Sequence, residues 1–259
     1  SPKHTIQQKK IVHKIMKSKK RIVLAYSGGL DTSIILKWLQ ENYDAEVICY
    51  TADIGQEINR NKIIKNAKKL GVKKIIINDL KDIFVKEYIY PMIRGHAIYE
   101  GVYLLGTSIA RPLIAKDQIR VAKKFKAYAV SHGSTGKGND QIRFELGYHY
   151  FGSNIKIIAP WRIWKLKSRT DLINYAKKNN IPIPNDKKGA PPFSVDDNLF
   201  HTSTEGKVLE NPRNSAPEFI FQRTVSPEKA PNRPTYVTIN FKNGDPFGIN
   251  GKKMSPAKL

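Results

Sequence analysis

Short β-branched runs alternate with longer helical patterns from residue 21 to residue 179. The runs are brief and almost wholly apolar, as expected of strands buried on both faces: Ile22–Tyr26, Glu46–Thr51, Lys74–Ile77, Ala127–Ser131 and Lys156–Ala159. Helical periodicity covers residues 32–42, 58–70, 82–93, 109–125, 139–149 and 168–179. This alternation predicts an α/β fold, a Rossmann-like parallel twisted sheet with helices on both faces.

The pattern changes after Asn180. Residues 181–192 are rich in proline and predict a linker, and five prolines in residues 211–234 predict irregular structure. Alternating residues over Tyr236–Phe241, followed by two Asn-Gly pairs, predict the start of a β-meander. We expect three parts: a basic N-terminal extension (1–20), the α/β domain (21–182) and part of a second, α+β domain (183–259).

The charge is high, with 45 Lys and Arg against 22 Asp and Glu and a net charge of +23. Eight of the basic residues lie within residues 1–21, which contain no acid, and the rest are scattered, as on a solvated surface. We therefore do not expect a nucleic-acid partner. Apolar runs are too short to cross a bilayer, which predicts no membrane partner. A single cysteine, Cys49, excludes an internal disulfide and favours a reducing, cytoplasmic location.

The clearest chemistry lies in Ala25–Ser33 (AYSGGLDTS), where the first predicted strand turns into a helix. Two adjacent glycines leave backbone N–H groups open to an anion, and the helix N-terminus adds its dipole. Asp31 would repel a bare phosphate, which predicts a bound Mg²⁺ or an ammonium group nearby. The segment is neither a Walker A loop nor a dinucleotide fingerprint. The alternative is a glycine-rich turn with Ser and Thr as caps.

A second glycine-rich loop lies in Ser131–Glu145 (SHGSTGKGNDQIRFE) and opens another predicted helix. Asn139 and Arg143 are four residues apart and therefore share a helix face. Arg143 could bind one carboxylate in bidentate fashion, Thr135 a second, and Asp140 an α-ammonium group. This mixture predicts substrates with amino-acid character. The alternative is a helix cap with a surface arginine.

Five segments, in order along the chain, resemble a known family. Ala25–Ser33 resembles the pyrophosphate-binding loop of the N-type ATP pyrophosphatases. Four more segments resemble the argininosuccinate synthase family: Gly101–Pro112 (GVYLLGTSIARP), Ser131–Glu145, Ala159–Arg162 (APWR) and Phe193–Gly206 (FSVDDNLFHTSTEG). The resemblance implies an adenine nucleotide alpha hydrolase-like ATP pyrophosphatase domain followed by part of a synthetase domain.

The resemblance also implies the site residues. For ATP they are Ala25, Tyr26, Ser27, Gly28, Gly29, Leu30, Asp31, Thr32, Ser33, Ala52, Ser131, His132, Gly133, Ser134, Thr135, Gly136, Lys137, Gly138 and Asn139. For aspartate they are Thr135, Asn139 and Asp140. For citrulline they are Tyr103, Ser108, Asn139, Arg143, Ser194 and Ser203. We expect Asp31 and Lys137 to act in catalysis, with Arg111 and Arg162 as further candidates for neutralising pyrophosphate.

The implied reaction is the ATP-dependent ligation of citrulline and aspartate to argininosuccinate, through a citrulline adenylate, with release of AMP and pyrophosphate. It requires Mg²⁺ and belongs to arginine biosynthesis and the urea cycle. Family members form homotetramers and continue past the position of Leu259, so we expect a C-terminally truncated member. The alternatives are an inactive ATP-binding remnant and a tRNA-modifying ATP pyrophosphatase.

Several conspicuous residues have structural interpretations. We interpret His132 chiefly as loop structure, and Asp196 and Asp197 as solvated loop carboxylates. Cys49 is expected to be a buried thiol. Trp161 and Trp164 are expected to pack in the interior.

Overall fold

Five short strands pair in parallel in the order β3-β2-β1-β4-β5. The computed structural model describes residues 19–136, 138–183 and 193–259. The strands are β1 (Arg21–Ala25), β2 (Glu46–Asp53), β3 (Lys74–Asp79), β4 (Ala129–Ser131) and β5 (Lys156–Ile158). The predicted α/β fold and all five predicted strands are confirmed. Most of residues 1–20 and 181–192, together with Lys137, lie outside the described residues.

Helices cover both faces of this sheet. They are α1 (Leu30–Tyr43), α2 (Arg60–Lys69), α3 (Lys81–Phe84, the π-helical Val85–Ile89, and Tyr90–Arg94), α4 (Gly106–Lys124), α5 (Asn139–Phe151), α6 (Pro160–Ile163) and α7 (Arg169–Lys178). The side chains of β1 alternate between the faces: Ile22 and Leu24 pack in one hydrophobic cluster and Val23 in the other. Buried residues of α1, α2 and α7 complete the first cluster, and those of α3, α4 and α5 the second. In the described ranges, no helix has the length and apolar character needed to cross a membrane.

The strand order places a topological switch point between β1 and β4. From β1 the chain continues to β2 on one side, whereas β4 and then β5 lie on the other side. Ligands of open α/β sheets bind at such a point, outside the carboxyl ends of the strands. The loops that follow β1 and β4 both lie there, and these are the two glycine-rich loops of the sequence.

The segment after the sheet domain forms two small antiparallel sheets. One is a hairpin of β6 (Ser194–Asp197) and β7 (Thr202–Glu205), and the other contains β8 (Ile239–Lys242), β9 (Asp245–Ile249) and β10 (Lys252–Lys253). Both connecting turns of the second sheet are Asn-Gly pairs with positive φ at both residues, as in type I′ turns. The predicted meander is confirmed. Between the two sheets, the described structure consists of irregular chain and three short 3₁₀ helices: Lys207–Glu210, Glu218–Ile220 and Pro227–Lys229.

Candidate functional site

A cleft of about 1030 Å³ opens at the carboxyl ends of β1, β2 and β4. Its walls come from the loops after β1 and β4, the first turns of α4 and α5, and the β6–β7 hairpin. Seventeen residues predicted to bind substrates line it: Ala25, Tyr26, Ser27, Gly29, Leu30, Asp31, Thr32, Ala52, Tyr103, Gly133, Ser134, Thr135, Gly138, Asn139, Asp140, Arg143 and Ser194. Two segments that are more than 100 residues apart in sequence therefore form one surface.

The loop after β1 presents polar groups at the start of α1. The hydroxyls of Ser27 and Thr32 lie 3.0 Å apart, and the Gly29 N–H points at the Ser27 hydroxyl, 3.3 Å away. Gly28 has a φ of 78°, and a Cβ there would lie 2.9 Å from Cγ1 of Ile63. Glycine at this position therefore lets the loop turn tightly against α2. The result is a group of donors at a helix N-terminus, which suits an anion.

Behind this loop, Tyr26 and Ser33 are paired in the interior. Their hydroxyls lie 3.0 Å apart, and burial raises the pKa of Tyr26 to about 12. Tyr26 is therefore uncharged at neutral pH and anchors the loop to the first turn of α1. The Ser33 hydroxyl is buried in this pair and does not line the cleft.

The loop after β4 is fixed by His132, whose side chain is fully buried. The Ser134 N–H donates to Nδ1 of His132, and Nε2 lies 3.2 Å from the Glu145 carboxylate. Arg162 binds the same carboxylate at 2.8 Å. Burial lowers the pKa of His132, against the opposing effect of Glu145. Arg162, a predicted pyrophosphate contact, is thus paired with Glu145 and does not line the cleft.

Asp140 lies between two arginines at the start of α5. Its carboxylate accepts hydrogen bonds from Arg111 at 2.9 Å and Arg143 at 3.0 Å. Burial favours a raised pKa for Asp140, but the hydrogen bonds and charges of the two arginines outweigh it, and the net pKa is lowered. Asp140 is therefore ionised at neutral pH, and it orients both guanidinium groups toward the cleft.

The β6–β7 hairpin docks against the sheet domain through its turn. The Asn198 amide donates to the Gly106 carbonyl at 3.2 Å, and the Leu199 N–H donates to the Ile54 carbonyl at 2.9 Å. The Thr107 hydroxyl lies 2.9 Å from Nε2 of His201. This docking brings Ser194, Asp196 and Glu205 to the rim of the cleft: all three line it.

The interpretation of Asp196 and Asp197 as solvated loop carboxylates is wrong. Both lie in strand β6 and both are paired, Asp196 with Arg111 at 3.4 Å and Asp197 with Arg223. The neighbouring sequence has no arginine, so nothing local signals these pairs. Tertiary contacts bring Arg111 to the first carboxylate and Arg223 to the second.

The other structural interpretations are confirmed. Cys49 is fully buried in β2, and burial raises the pKa of its thiol. Trp164 is buried against Trp38, with ring centroids 6.2 Å apart, and Trp161 packs on Trp164 at 4.9 Å. Ser168 caps α7 in a reciprocal pair with Asp171, as the sequence predicts.

Some predicted residues lie away from the surface of the cleft. Those in the described structure that do not line it are Gly28, Ser33, Gly136, Ser131, His132, Ser108 and Ser203. Ser131 and His132 are buried directly behind the wall. Lys137, predicted to be catalytic, lies outside the described residues, so its role stays a prediction.

Sequence reasoning did not single out several cleft residues: Tyr50, Thr51, Gln56, Thr107, Ile114, Phe144 and Glu205. Thr107, Phe144 and Glu205 lie inside segments that carry the family resemblance. Tyr50, Thr51 and Gln56 follow from position, because they lie at or just beyond the carboxyl end of β2, where ligands of such sheets bind. That signal was available once the strand order was known. Ile114 lies in α4, and helix packing brings it to the cleft.

The described residues contain no group of three or more His, Cys, Asp or Glu side chains that could hold a metal ion. Asp31 is exposed in the first turn of α1, and it has no hydrogen-bond or ion-pair partner among the residues that the structure describes. A single carboxylate beside an anion-binding loop fits Mg²⁺ that is held mainly by phosphate oxygens and water. It does not fit a cage made of protein ligands.

Comparison with known proteins agrees with this geometry. A sequence model described as arginosuccinate synthase N-terminal HUP domain matches residues 21–182, and one described as arginosuccinate synthase C-terminal domain matches residues 193–259. The chain belongs to the argininosuccinate synthase family. The assignment agrees with the five-stranded parallel sheet followed by small antiparallel sheets.

Two relatives show what share of a family member's length this chain covers. The argininosuccinate synthase of Pelagibacter ubique is 85% identical over 244 residues, which cover 94% of this chain and 62% of the relative. That of Parvibaculum lavamentivorans is 60% identical over 243 residues, covering 94% of this chain and 59% of the relative. The chain thus spans about three fifths of the length of these two argininosuccinate synthases.

Proposed function

We propose that this chain carries the ATP site and much of the amino-acid site for joining citrulline and aspartate into argininosuccinate, with release of AMP and pyrophosphate. The observation that carries the proposal is the meeting of two anion-binding loops and an Asp140–Arg111–Arg143 cluster in one cleft at the switch point. Family membership supports the identity of the substrates. The reaction is a step of arginine biosynthesis.

The ATP phosphates are proposed to bind the loop after β1. The hydroxyls of Ser27 and Thr32 supply donors, and the N-terminus of α1 supplies a positive dipole. Ala52, near the end of β2, lines the cleft, and we propose that the adenine lies beside it, since its small side chain would leave room for a base. The loop over residues 133–135, which lines the opposite wall, would then face the phosphates.

Asp31 is the residue that would hold Mg²⁺, jointly with the phosphates. Bound there, the ion would neutralise charge that develops on the pyrophosphate. Lys137 is proposed to share this neutralisation. Arg111 lines the cleft as a third cation, although Asp140 and Asp196 already share its charge.

The amino-acid substrates are proposed to bind around the start of α5. Thr135, Asn139 and Asp140 are assigned to aspartate, and Asn139, Arg143, Tyr103 and Ser194 to citrulline; all line the cleft. Ser108 and Ser203, also assigned to citrulline, are not part of this surface, so their contacts would require a shift of α4 or of the hairpin. Because Asp140 already binds two arginines, a substrate ammonium group would share that carboxylate with them.

The chemistry needs positioning more than covalent help. The citrulline ureido oxygen would attack the α-phosphorus, forming an O–P bond while the bond to the leaving pyrophosphate breaks. The aspartate amine would then attack the activated carbon, and C–N bond formation with loss of a proton would expel AMP. Holding three reactants in line within one cleft supplies the main rate advantage.

Pyrophosphate release from MgATP tests the proposal when measured without additions, with citrulline, and with citrulline plus aspartate. We expect release that depends on citrulline, and argininosuccinate only when aspartate is added. Arg143→Lys is the matched variant, because it keeps the positive charge and loses the planar guanidinium group. It should raise the citrulline concentration needed for half-maximal pyrophosphate release while leaving ATP binding unchanged. Binding of ATP without release under any condition would instead identify an ATP-binding remnant.

Three properties of the whole protein complete the proposal. We infer a cytoplasmic location from the single buried cysteine, and a homo-oligomer, a tetramer as the family resemblance implies. We also propose a nucleotide-binding domain (21–182) and part of a synthetase domain (183–259), supported by the matched ranges 21–182 and 193–259. Sedimentation of the purified chain would test the oligomeric state.

A further inference from the structure

The ring of His132 is clamped between a loop and a helix directly behind the cleft. It is fully buried and stacks on Phe144, with ring centroids 5.6 Å apart and planes at 7°. Tyr148 packs against it at 6.2 Å. None of the ring faces the cleft, so direct contact with a nucleotide is not its role in this arrangement.

The two nitrogens of this ring have different partners. The Ser134 N–H donates to Nδ1 across 3.2 Å, so Nδ1 must be without a proton. Nε2 faces the Glu145 carboxylate, which can only accept, so Nε2 carries the proton. The surroundings therefore select the neutral Nε2–H tautomer.

The Nδ1 bond closes a side-chain turn that ties the backbone after β4 to the His132 ring. A side-chain acceptor at one residue binding the N–H two residues later has the pattern of an Asx turn. The Ser134 N–H is thereby directed onto the ring and away from the cleft. The chain on either side, Gly133 and Thr135, then lies along the cleft wall that faces the loop after β1.

We propose that His132 is a positioning residue that shapes the second wall of the nucleotide site through this turn. The inference rests on the proposed function, because the wall matters only if the cleft binds ATP. Glu145, held by Arg162, fixes the ring from behind, and the ring fixes the loop in front. His132 thus acts on the nucleotide through the backbone of residues 133–135.

Two substitutions separate the two hydrogen bonds of the ring. In His132→Asn the amide oxygen can replace Nδ1 and keep the turn, while the contact with Glu145 is lost. In His132→Gln the longer amide can reach Glu145, while the turn is lost. We expect His132→Asn to bind MgATP within about twofold of wild type and His132→Gln to bind about tenfold more weakly, by isothermal titration calorimetry.

A second matched pair leaves the buried ring untouched. Ser134→Pro removes the N–H that donates to Nδ1, whereas Ser134→Ala keeps it. Both variants lose the Ser134 hydroxyl, so we expect the proline variant to bind MgATP about tenfold more weakly than the alanine variant. If either His132 variant fails to fold, this pair still tests whether the hydrogen bond to Nδ1 is needed for MgATP binding.

The inference is overturned if His132→Asn and His132→Gln lose the same affinity, or if Ser134→Pro binds as well as Ser134→Ala. It is supported independently of ATP if the ¹⁵N shifts of the His132 ring show an unprotonated Nδ1 in the free protein. A doubly protonated or Nδ1–H ring would contradict it. Failure of the wild-type chain to bind MgATP would contradict the proposed function. The ¹⁵N shifts of the ring would then still test whether Nδ1 accepts the hydrogen bond from Ser134.

Discussion

At the scale of single residues, Gly28 shows how closely the loop after β1 approaches its neighbours. Gly28 and Gly71 both have positive φ, 78° and 79°. A Cβ at Gly28 would lie 2.9 Å from the Ile63 side chain and 3.2 Å from its Cα, whereas at Gly71 nothing lies within 4 Å. Both positions need a residue that adopts a positive φ, and Gly28 must also lack a side chain because Ile63 lies too close.

Alanine at each position should separate these two effects. We expect Gly71→Ala to lower the free energy of unfolding by about 1–2 kcal/mol, through backbone strain alone. Gly28→Ala should lower it by a further 1–3 kcal/mol or so, because α2 must move away from the new methyl group. Urea denaturation of both variants measures the difference. Equal losses would show that the loop is free to move away from Ile63.

His132 should also make stability depend on pH. Its folded pKa is lowered by burial, and Arg162 adds to this, while Glu145 and Asp140 oppose it. The unfolded chain then binds a proton more readily than the folded one. Its contribution is therefore intact above the unfolded pKa of about 6.5 and is lost as pH falls toward the folded value.

Comparison of wild type with His132→Asn isolates this contribution. Denaturation between about pH 5 and pH 8 should show the wild-type free energy of unfolding falling more steeply below about pH 6.5 than that of the variant. His201, whose pKa burial also lowers, is present in both proteins and cancels. Parallel curves would mean that folding leaves the pKa of His132 unshifted, which would contradict this prediction.

At the scale of elements, Gln118 of α4 joins the two strands of the switch point. Its amide nitrogen lies 3.0 Å from both the Val23 carbonyl of β1 and the Ser131 carbonyl of β4. The Tyr148 hydroxyl of α5 donates to its amide oxygen at 2.6 Å. All of this is buried, so the side chain supplies hydrogen bonds where the strands separate to open the cleft.

Gln118→Leu should lower the free energy of unfolding by about 2–4 kcal/mol, because two carbonyls and one hydroxyl lose their partner inside the core. Tyr148→Phe alone should lower it by about 1 kcal/mol. The double variant should be less unstable than the sum, because the orphaned hydroxyl is gone. The free energies of unfolding in this double-mutant cycle can be measured by thermal or urea denaturation. Additive losses would show that the side chains of Gln118 and Tyr148 are not coupled.

At the scale of the whole molecule, the hairpin and the sheet domain meet where Gly106 begins α4. A Cβ on Gly106 would lie 2.5 Å from the His201 ring, which is the ring bound by Thr107. Tyr103 packs on the same ring, with centroids 5.9 Å apart. The absence of a side chain at Gly106 therefore decides how closely Ser194 and Asp196 approach the cleft.

Gly106→Ala should displace the hairpin and weaken citrulline-dependent pyrophosphate release more than MgATP binding. His201→Ala should relieve the clash, so the double variant should lose less hairpin protection than Gly106→Ala alone. Hydrogen exchange over residues 194–205 measures the docking directly. Protection in Gly106→Ala equal to wild type would contradict this picture.

Local sequence was sufficient to predict those elements whose residue pattern directly indicates burial, a helix cap or a turn. The largely apolar runs of β1 and β2 predict two buried faces, and Ser168 with Asp171 predicts the capped start of α7. The Asn-Gly pairs predict the turns of the last sheet, since few other residues adopt positive φ twice in succession. Each of these signals acts within a few residues.

The α/β fold, the two glycine-rich loops and the family can all be predicted from the residues in order. The pairing of Asp140 with Arg111 and Arg143, the position of Asp196 at the cleft and the support of the wall by His132 depend on the folded chain. The physical reason is distance along the chain. Backbone preferences and hydrophobic periodicity act between near neighbours, whereas ion pairs and buried hydrogen bonds join residues that only strand order and helix packing bring together.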